Sequence, residues 1–274
     1  MKQLHFCSGL PRTGSTVLMN ILQQNPNIFT TTTDPFPEIL DSNILQKSRT
    51  KEKFQAMSAK QADEAVYGMA MGATIGWYAG LTKKPIVISK SREWTRIHHL
   101  FPDSKHIVMI RDLRDIVESF DRVNSKLKAL HTIDNEGRNY ATMCEDEKYN
   151  YHFTTLNSFS DPLHNSLPRY MEMFNSENVK FVRYEDFLKE PIFMINRIYE
   201  VLGIDSYFHD LENIQQSEMY EHDNAYFFEK TDHRVKQQMV PWSEPKRVLS
   251  NDFHNRVIDN YEWFYKAFYP EVLS

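Results

Sequence analysis

The feature that most constrains this chain is a loop near its start, Gly9 to Thr16, with the sequence GLPRTGST. A short apolar segment, Leu4 to Ser8, runs directly into the loop and predicts a buried strand. From Ser15 onward, apolar residues recur at helical spacing and stop before Asn25. A strand, a tight loop and a helix in this order place backbone N–H groups around one anion at the positive end of the helix. The pattern therefore predicts an anion-binding loop.

The residues within the loop suit the oxygens of phosphate or sulfate. Gly9 and Gly14 permit the φ values and the close approach that such a loop needs. Arg12 adds a planar fork of N–H donors. Three hydroxyl groups are also available, on Thr13, Ser15 and Thr16. The lysine that follows the second glycine in nucleoside triphosphatases is absent, because Ser15 stands in its place.

Three further apolar runs have the composition of buried parallel strands, since each is short and rich in β-branched residues. They are Pro85–Ile88, His106–Ile110 and Val179–Arg183. Helical patterns fall at 63–78, 112–127, 192–202 and 251–267. Strands that alternate with helices predict one parallel sheet. We therefore expect an α/β, P-loop-like three-layer fold, with a central parallel sheet flanked by helices, in a single domain that spans 1–274.

Two polar stretches interrupt this alternation, at 31–60 and at 129–168. Both are long enough to form the mouth of a substrate site. Solvated connecting loops and helices are the alternative interpretation for any given residue in them.

Composition and charge exclude several classes of protein. The chain has 274 residues, with 32 Lys and Arg against 37 Asp and Glu, and this acidic balance disfavours a nucleic-acid binder. No stretch approaches the ~18 consecutive apolar residues that a membrane span needs, and the apolar part of the N-terminus is too short for a secretory signal. Two cysteines, Cys7 and Cys144, cannot supply a disulfide framework. We expect a soluble, cytoplasmic protein.

A second anion site is indicated where the run His106–Ile110 ends. Arg111 follows that run directly, and Ser119 lies about two helical turns further on, on roughly the same face. Ligands of an α/β sheet lie beyond the carboxyl ends of its strands, where the glycine loop also opens. One cation and one hydroxyl there could hold a second phosphate. A solvent-facing arginine above an ordinary acidic first turn is the alternative interpretation.

Taken together, these motifs resemble the sulfotransferases that use 3′-phosphoadenylyl sulfate (PAPS). Leu10 to Leu18 is similar to the family's 5′-phosphosulfate loop, and its Pro-Arg start resembles the tyrosylprotein sulfotransferases and their bacterial relatives. Arg111 with Ser119 resembles the family's 3′-phosphate pair. Arg183 to Phe187, with the sequence RYEDF, resembles the segment whose tyrosine lies by the nucleotide. Ile88 to Lys90 resembles the strand end that carries a catalytic lysine.

The resemblance implies a metal-independent, in-line transfer of a sulfuryl group from PAPS to a hydroxyl or amine of an acceptor. Arg12 and Lys90 would stabilise the leaving phosphate oxygen. Asp34 and Glu38, which follow the first helix, are the candidates for the base that the acceptor needs. Glu38 could equally be a solvated carboxylate at a helix start. No metal site is expected, because the chain has no Cys/His cluster with zinc spacing.

The resemblance also implies a set of PAPS-binding residues, with adenosine 3′,5′-bisphosphate (PAP) as the product. They are Pro11, Arg12, Thr13, Gly14, Ser15, Thr16, Arg111, Ser119, Tyr184, Arg234 and Lys236. Arg234 and Lys236 would cover the 3′-phosphate as a basic lid. A charged surface loop is the alternative interpretation for that stretch.

Two other functions remain open from the sequence. One is a P-loop kinase that phosphorylates a small metabolite with ATP and Mg²⁺, with Arg12 in place of the usual lysine. The other is a non-catalytic protein that keeps the nucleotide pocket and holds a partner. A small-molecule, carbohydrate, lipid or peptide acceptor is compatible with the sequence, whereas a highly anionic polymer would need a basic groove. Neither the oligomeric state nor the source organism follows from the sequence.

Overall fold

A five-stranded parallel sheet with the order β2-β3-β1-β4-β5 forms the centre of the fold. The structure, a computed structural model, describes residues 3–32, 34, 36, 58–90, 101–124, 139–153, 162–216 and 236–274. The strands are β1 (Gln3–Gly9), β2 (Ile28–Thr31), β3 (Ile86–Lys90), β4 (His106–Ile110) and β5 (Val179–Arg183). Because all five run the same way, their carboxyl ends meet at one edge, where ligands bind in folds of this kind.

Helices flank the sheet and occupy most of the remaining described chain. They are α1 (Ser15–Leu22), α2 (Ala59–Leu81), α3 (Leu113–Asn124), α4 (Glu145–Phe153), α5 (Pro162–Met173), α6 (Tyr184–Lys189), α7 (Pro191–Leu202), α8 (Asn251–Asn260) and α9 (Glu262–Phe268). Short 3₁₀ turns lie at Tyr140–Thr142 and Pro270–Val272. The predicted α/β fold with a central parallel sheet is thus confirmed.

Both faces of the sheet are buried, as the alternation along β4 shows. Ile107 and Met109 belong to the apolar cluster that contains α1 and α7. Val108 and Ile110 belong to the cluster on the opposite face, which contains α3, α5, α8 and α9. Over β2 and β3, that second face is covered by α2, which packs against Val87. Helices on both faces explain why the strand sequences are apolar at nearly every position.

The structure contains one strand that the sequence did not predict. β2 has only four residues, and all of them are buried. It pairs with β3 at one end of the sheet, with Thr31 opposite Ser89. The threonine-rich sequence from Thr31 onward was interpreted as the start of a polar stretch, although the side chains of Thr31 and Thr32 lie in the interior.

Helix α2 begins earlier than its apolar pattern indicates, at Ala59 rather than at residue 63. Ser58 caps it, since its hydroxyl accepts from the backbone N–H of Gln61 while the Gln61 side chain accepts from the backbone N–H of Ser58. Such a reciprocal pair satisfies two of the helix's exposed amides and fixes its start. The first polar stretch therefore contains the first residues of a long helix.

The second polar stretch and the final helix also differ in detail from the prediction. The 3₁₀ turn at Tyr140–Thr142, helix α4 and the start of α5 lie within 129–168. The helix predicted over 251–267 is divided at Tyr261, which lies between α8 and α9. Among the residues described, no helix has the length and apolar character to cross a membrane.

Candidate functional site

The loop between β1 and α1 is tightly wound, and both of its glycines are required by the packing. Gly9 has φ 156°, and a Cβ there would lie 2.6 Å from the carbonyl oxygen of Met109. Gly14 has φ 82°, and a Cβ there would lie 2.7 Å from two ring carbons of Tyr184. Arg12 also adopts a left-handed conformation, with φ 66°. Such a backbone folds back on itself within a few residues and turns its amides inward.

The loop leads directly into the N-terminus of α1. Gly14 occupies the N-cap position and has no side chain with which to satisfy the first amides of the helix. The buried hydroxyl of Thr13 is turned back and donates to the carbonyl oxygen of Leu10 at 2.7 Å, so it braces the loop. Pro11, Ser15 and Thr16 are half-buried. The uncapped helix start suits a bound anion.

The second predicted anion site lies next to the loop. The Arg12 Nε donates to the Ser119 hydroxyl at 3.0 Å, and the Arg111 Nη1 donates to the Arg12 carbonyl oxygen at 2.9 Å. The guanidinium carbon of Arg111 lies 4.6 Å from the centroid of the Tyr184 ring. Four of the predicted PAPS-binding side chains therefore meet at one place on the carboxyl edge of the sheet. They come from the loop, from the residue after β4, from α3 and from α6.

Arg111 retains a donor that fits an anion. Its Nε is buried, and among the residues described no acceptor lies within hydrogen-bonding distance of it. A buried N–H group without an acceptor is costly, so such a group usually marks a missing partner. A phosphate oxygen is a suitable acceptor for a guanidinium N–H. The residues present thus fit a nucleotide with an anionic group at this position.

Lys90 is the last residue of β3 and lies on the same edge of the sheet. Its Cα pairs with that of Cys7 on β1, two residues before the loop begins at Gly9. Its side chain is half-buried. Burial raises the pKa of the Cys7 thiol to about 12, although the nearby Lys90 opposes this shift. Cys7 is therefore a packing residue rather than a nucleophile.

Asp34 lies next to the end of β3 but is buried among hydroxyl groups. Its Oδ2 accepts from the hydroxyls of Ser89 at 2.6 Å, Tyr78 at 2.8 Å and Thr31 at 3.3 Å. Its Oδ1 accepts from the backbone N–H of Phe36 at 3.0 Å. These partners come from β3, from α2, from β2 and from the chain just after β2. None of the four was recognised from the sequence.

Of the remaining predicted site residues, one is described by the structure and two are not. Lys236 is exposed at the start of a segment that we call the C-terminal strap, residues 236–254. Glu38 and Arg234 lie outside the described residues.

The C-terminal strap is bound to α3, the helix that carries Ser119. Arg247 donates from Nε to Asp115 at 2.9 Å and from Nη2 to Asp112 at 3.4 Å. Glu118 accepts from the backbone N–H groups of two strap residues, Val248 at 2.8 Å and Leu249 at 2.9 Å. These contacts join residues more than 120 positions apart in sequence, so no local pattern predicts them.

A buried polar network supports the strand end at Arg111. Burial disfavours ionisation of Asp112, but hydrogen bonds from Arg114 and the charges of Arg114 and Arg247 keep its pKa below the ordinary value. The Tyr265 hydroxyl donates to Asp112 at 3.0 Å. Burial raises the pKa of Glu185, the residue after Tyr184. This network holds β4, α6 and α9 together beneath the site.

Metal binding has no support in the residues that are described. Within those ranges no group of three or more His, Cys, Asp or Glu side chains is arranged to hold a metal ion. Three cationic side chains, those of Arg12, Arg111 and Lys90, lie at the carboxyl edge.

The comparisons with a family model and with solved structures agree with one another. A family model described as "Sulfotransferase family" matches residues 5–210. No curated protein matches the chain. Among solved structures, the sulfotransferase domain from the curacin biosynthetic pathway aligns with TM-score 0.55 at 15% identity and covers 96% of this chain and 98% of that one. At such an identity the likeness establishes the fold alone.

Two other solved structures align over similar lengths. A sulfotransferase from Alicyclobacillus acidocaldarius has TM-score 0.48 and 14% identity, with 96% of this chain and 92% of that chain covered. The sulfotransferase domain of the Synechococcus PCC 7002 olefin synthase has TM-score 0.47 and 14% identity, with 96% of each chain covered.

Proposed function

This chain belongs to the sulfotransferase family, and on that premise we propose that it transfers a sulfuryl group from PAPS to a hydroxyl or amine of an acceptor. The observation that carries the proposal is the meeting of Arg12, Arg111 and Ser119 beside the loop. A donor with a 5′-phosphosulfate and a 3′-phosphate needs two neighbouring anion sites. The loop supplies one, and Arg111 with Ser119 supplies the other.

Several residues would hold PAPS, which supplies the sulfuryl group when bound. The amides of the loop and of the α1 N-terminus would bind the 5′-phosphosulfate. The unsatisfied Nε of Arg111 and the hydroxyl of Ser119 would bind the 3′-phosphate. Tyr184 packs against both Gly14 and Arg111 and would line the nucleotide. Lys236, with Arg234, remains a candidate for a basic cover over the 3′-phosphate.

Catalysis would depend on positioning and on electrostatic stabilisation. Arg12 and Lys90 would neutralise the charge that develops on the leaving phosphate oxygen. Because these side chains provide the positive charge, we expect no requirement for a divalent metal. Glu38 remains a candidate for the base that accepts the proton of the acceptor. We also propose a relation to the tyrosylprotein branch of the family, on the basis of the Pro-Arg start of the loop. The acceptor that we propose is a small molecule, a carbohydrate, a lipid or a peptide.

The donor can be tested without knowledge of the acceptor. Thermal unfolding would be measured with PAP and, in parallel, with ATP and Mg²⁺. A ligand at ~100 times its dissociation constant adds about 2.7 kcal/mol of stability, which raises the Tm of a domain of this size by roughly 5–10 °C. We expect PAP to raise the Tm and ATP with Mg²⁺ to leave it unchanged. A shift with ATP and Mg²⁺ alone would favour the P-loop kinase, and no shift with PAP would reject the proposal.

The role of Arg12 in transfer predicts a large kinetic defect. Replacement of Arg12 by Ala should lower the turnover of PAPS at least a hundredfold, because one lost transition-state contact costs ~3–4 kcal/mol. Turnover would be measured as formation of PAP, with labelled sulfate released when water is the acceptor and labelled sulfated product formed with a panel of alcohols, phenols and sugars. Arg197→Ala is the matched control, since that arginine is exposed on α7 and pairs with Glu200. Full activity of Arg12→Ala would contradict the assignment.

A further inference from the structure

Asp34 accepts four hydrogen bonds, three at its Oδ2 and one at its Oδ1. Three hydroxyls and one backbone N–H donate to it, at distances from 2.6 to 3.3 Å. The residue is only 6% exposed. An ionised carboxylate offers about four lone-pair positions. Each oxygen has about two of these positions, so Oδ2, with three hydroxyl donors, could take a proton from an acceptor only by giving up one of these partners.

The partners of Asp34 connect it to the backbone of Lys90 by two routes. The first runs through Thr31, whose hydroxyl donates to Asp34 at 3.3 Å and accepts from the Lys90 backbone N–H at 3.3 Å. The second runs through Ser89, whose hydroxyl donates to Asp34 at 2.6 Å. Ser89 is the residue before Lys90 and is fully buried. Both routes converge on the last two residues of β3.

The position of these contacts in the sheet explains why they matter for Lys90. Thr31 and Ser89 are the last residues that are paired between β2 and β3. The pairing of β2 with β3 ends there, and the Lys90 backbone N–H donates to the Thr31 hydroxyl. The Tyr78 hydroxyl adds a contact from α2 at 2.8 Å. Asp34 thus joins β2, β3 and α2 at the strand end that carries Lys90.

We propose that Asp34 is a positioning residue that fixes the strand end bearing Lys90, and that it is not the base of the reaction. This inference rests on the proposed function, because it assigns to Lys90 the stabilisation of the leaving oxygen. A charged hydrogen-bond acceptor at the centre of three hydroxyls is well suited to hold side chains in one arrangement. Catalytic groups depend on such support, since small displacements of a reacting group lower the rate strongly.

A double-mutant cycle between Asp34 and Lys90 distinguishes positioning from proton transfer. The variants are Asp34→Asn, Lys90→Met and the combination, and the readout is kcat for release of sulfate from PAPS with water as the acceptor. If Asp34 acts through Lys90, the single changes each lower kcat and the double variant matches Lys90→Met within about twofold. If Asp34 is the base, the double variant loses the product of the two single effects. That result would overturn the inference.

Thr31 provides a second test that leaves the carboxylate in place. Thr31→Val removes the hydroxyl that links Asp34 to the Lys90 backbone, whereas Thr31→Ser keeps it. We expect Thr31→Val to lower kcat about tenfold and Thr31→Ser to restore most of the rate, with PAP affinity unchanged in both. Equal rates for the two Thr31 variants would contradict the inference. This comparison does not need Asp34→Asn, so it also serves if that variant fails to fold.

The failure of the proposed function would have a different signature from the failure of this inference. Binding of PAP is measured by the Tm shift of the wild-type protein and of each variant. A wild-type protein that neither binds PAP nor consumes PAPS would reject the proposed function, and the inference with it. A wild-type protein that does both, with additive losses at Asp34 and Lys90, would reject the inference alone.

Discussion

Gly14 is the residue at which the loop, the first helix and a late tyrosine come into contact. Its Cα faces the ring of Tyr184, a residue that also lies against the guanidinium of Arg111. Two separate demands fall on this position: a left-handed φ of 82° and the absence of a Cβ. The contact was not evident from the sequence, where Gly14 and Tyr184 were each assigned to the nucleotide but not to one another.

The two demands at Gly14 can be separated by a matched pair of substitutions. Gly203, which follows α7, has φ 67° and no described atom within 4 Å of where a Cβ would stand. Gly203→Ala should therefore cost only the left-handed strain, about 1–2 kcal/mol. Gly14→Ala adds a clash with the ring and should cost a further ~1–3 kcal/mol. Urea unfolding would measure both, and equal losses would show that Tyr184 moves freely.

Single residues also mark the limit of prediction from sequence. Arg12, Arg111 and Ser119 were assigned to anion binding, and the structure brings their side chains together. The partners of Asp34 could not be anticipated, because Tyr78 reaches it through the packing of α2 on the sheet and Ser89 through the pairing of β2 with β3. From the sequence alone, a carboxylate near a catalytic loop suggests a catalytic base. Its hydrogen-bond partners, which depend on the tertiary structure, are needed to propose another role.

At the scale of elements, α2 carries an uncommon arrangement of glycines. Four of them recur at every fourth position and so lie along one side of the helix: Gly68, Gly72, Gly76 and Gly80. No atom of the described residues lies within 4 Å of a Cβ built on any of them. Glycine inside a helix is unfavourable relative to alanine, so α2 relies on its capping box and on the buried side with Ala70 and Tyr78.

This arrangement predicts that alanine stabilises the exposed side of α2. Gly72→Ala and Gly76→Ala should each raise the free energy of unfolding by about 0.5–1 kcal/mol, because alanine loses less backbone entropy on folding. Chemical denaturation of the two single variants and of the pair would test additivity. A loss of stability, or a change in molecular mass by light scattering, would instead reveal that another part of the protein or a second copy covers this side.

The attachment of the C-terminal strap to α3 is a second property of elements. Glu118 accepts from Val248, Leu249 and the His254 Nε2, the last at 3.1 Å, and it is 2% exposed. Glu118→Ala would leave two backbone amides and a histidine without their acceptor. We expect a loss of about 3 kcal/mol in stability and weaker PAP binding, since Ser119 is the next residue.

Glu262→Ala is the matched control for Glu118→Ala. That glutamate is exposed on α9 and pairs with Lys266 at the surface, so its loss should change stability by less than about 0.5 kcal/mol. Both variants would be compared by urea unfolding. Equal effects at the two positions would contradict the role assigned to the strap.

For the whole molecule, buried histidines make stability depend on pH. Burial, assisted by the charge of Lys105, lowers the pKa of His5 to about 4, and burial, assisted by the charge of Lys148, lowers that of His152 to about 3. In the unfolded chain both have the ordinary value near 6.5. The unfolded state therefore binds protons more readily, and folding stability present above pH 6.5 is lost as the pH falls toward 3.

Urea unfolding between pH 7.5 and pH 4.5 would measure this loss. We expect the free energy of unfolding of the wild-type protein to fall through this range, with a slope approaching ~1.4 kcal/mol per pH unit for each buried histidine. His152→Gln keeps a hydrogen-bonding group near the Tyr140 hydroxyl and should reduce the slope. A slope unchanged in that variant would show that His152 does not contribute.

The sheet as a whole could be predicted from sequence only in part. β1, β3, β4 and β5 are apolar enough to be recognised, and their alternation with helices predicts a parallel sheet. β2 escaped recognition because four residues, two of them threonine, give no periodic signal. Strand order and the strap arise from contacts between distant parts of the chain, such as Arg247 with Asp112, which no local pattern records.

The central position of β1 has a consequence for the synthesis of the protein. β1 pairs with β3 on one side and with β4 on the other, and both of these strands follow it in the chain. At ~5–20 residues per second, a ribosome spends several seconds between Gly9 and Ile110, and during that time at least one edge of β1 has no partner. Nascent chains that end before Ile110 will expose an apolar strand. We expect such chains to need chaperones, or to aggregate, when translation stalls before that residue.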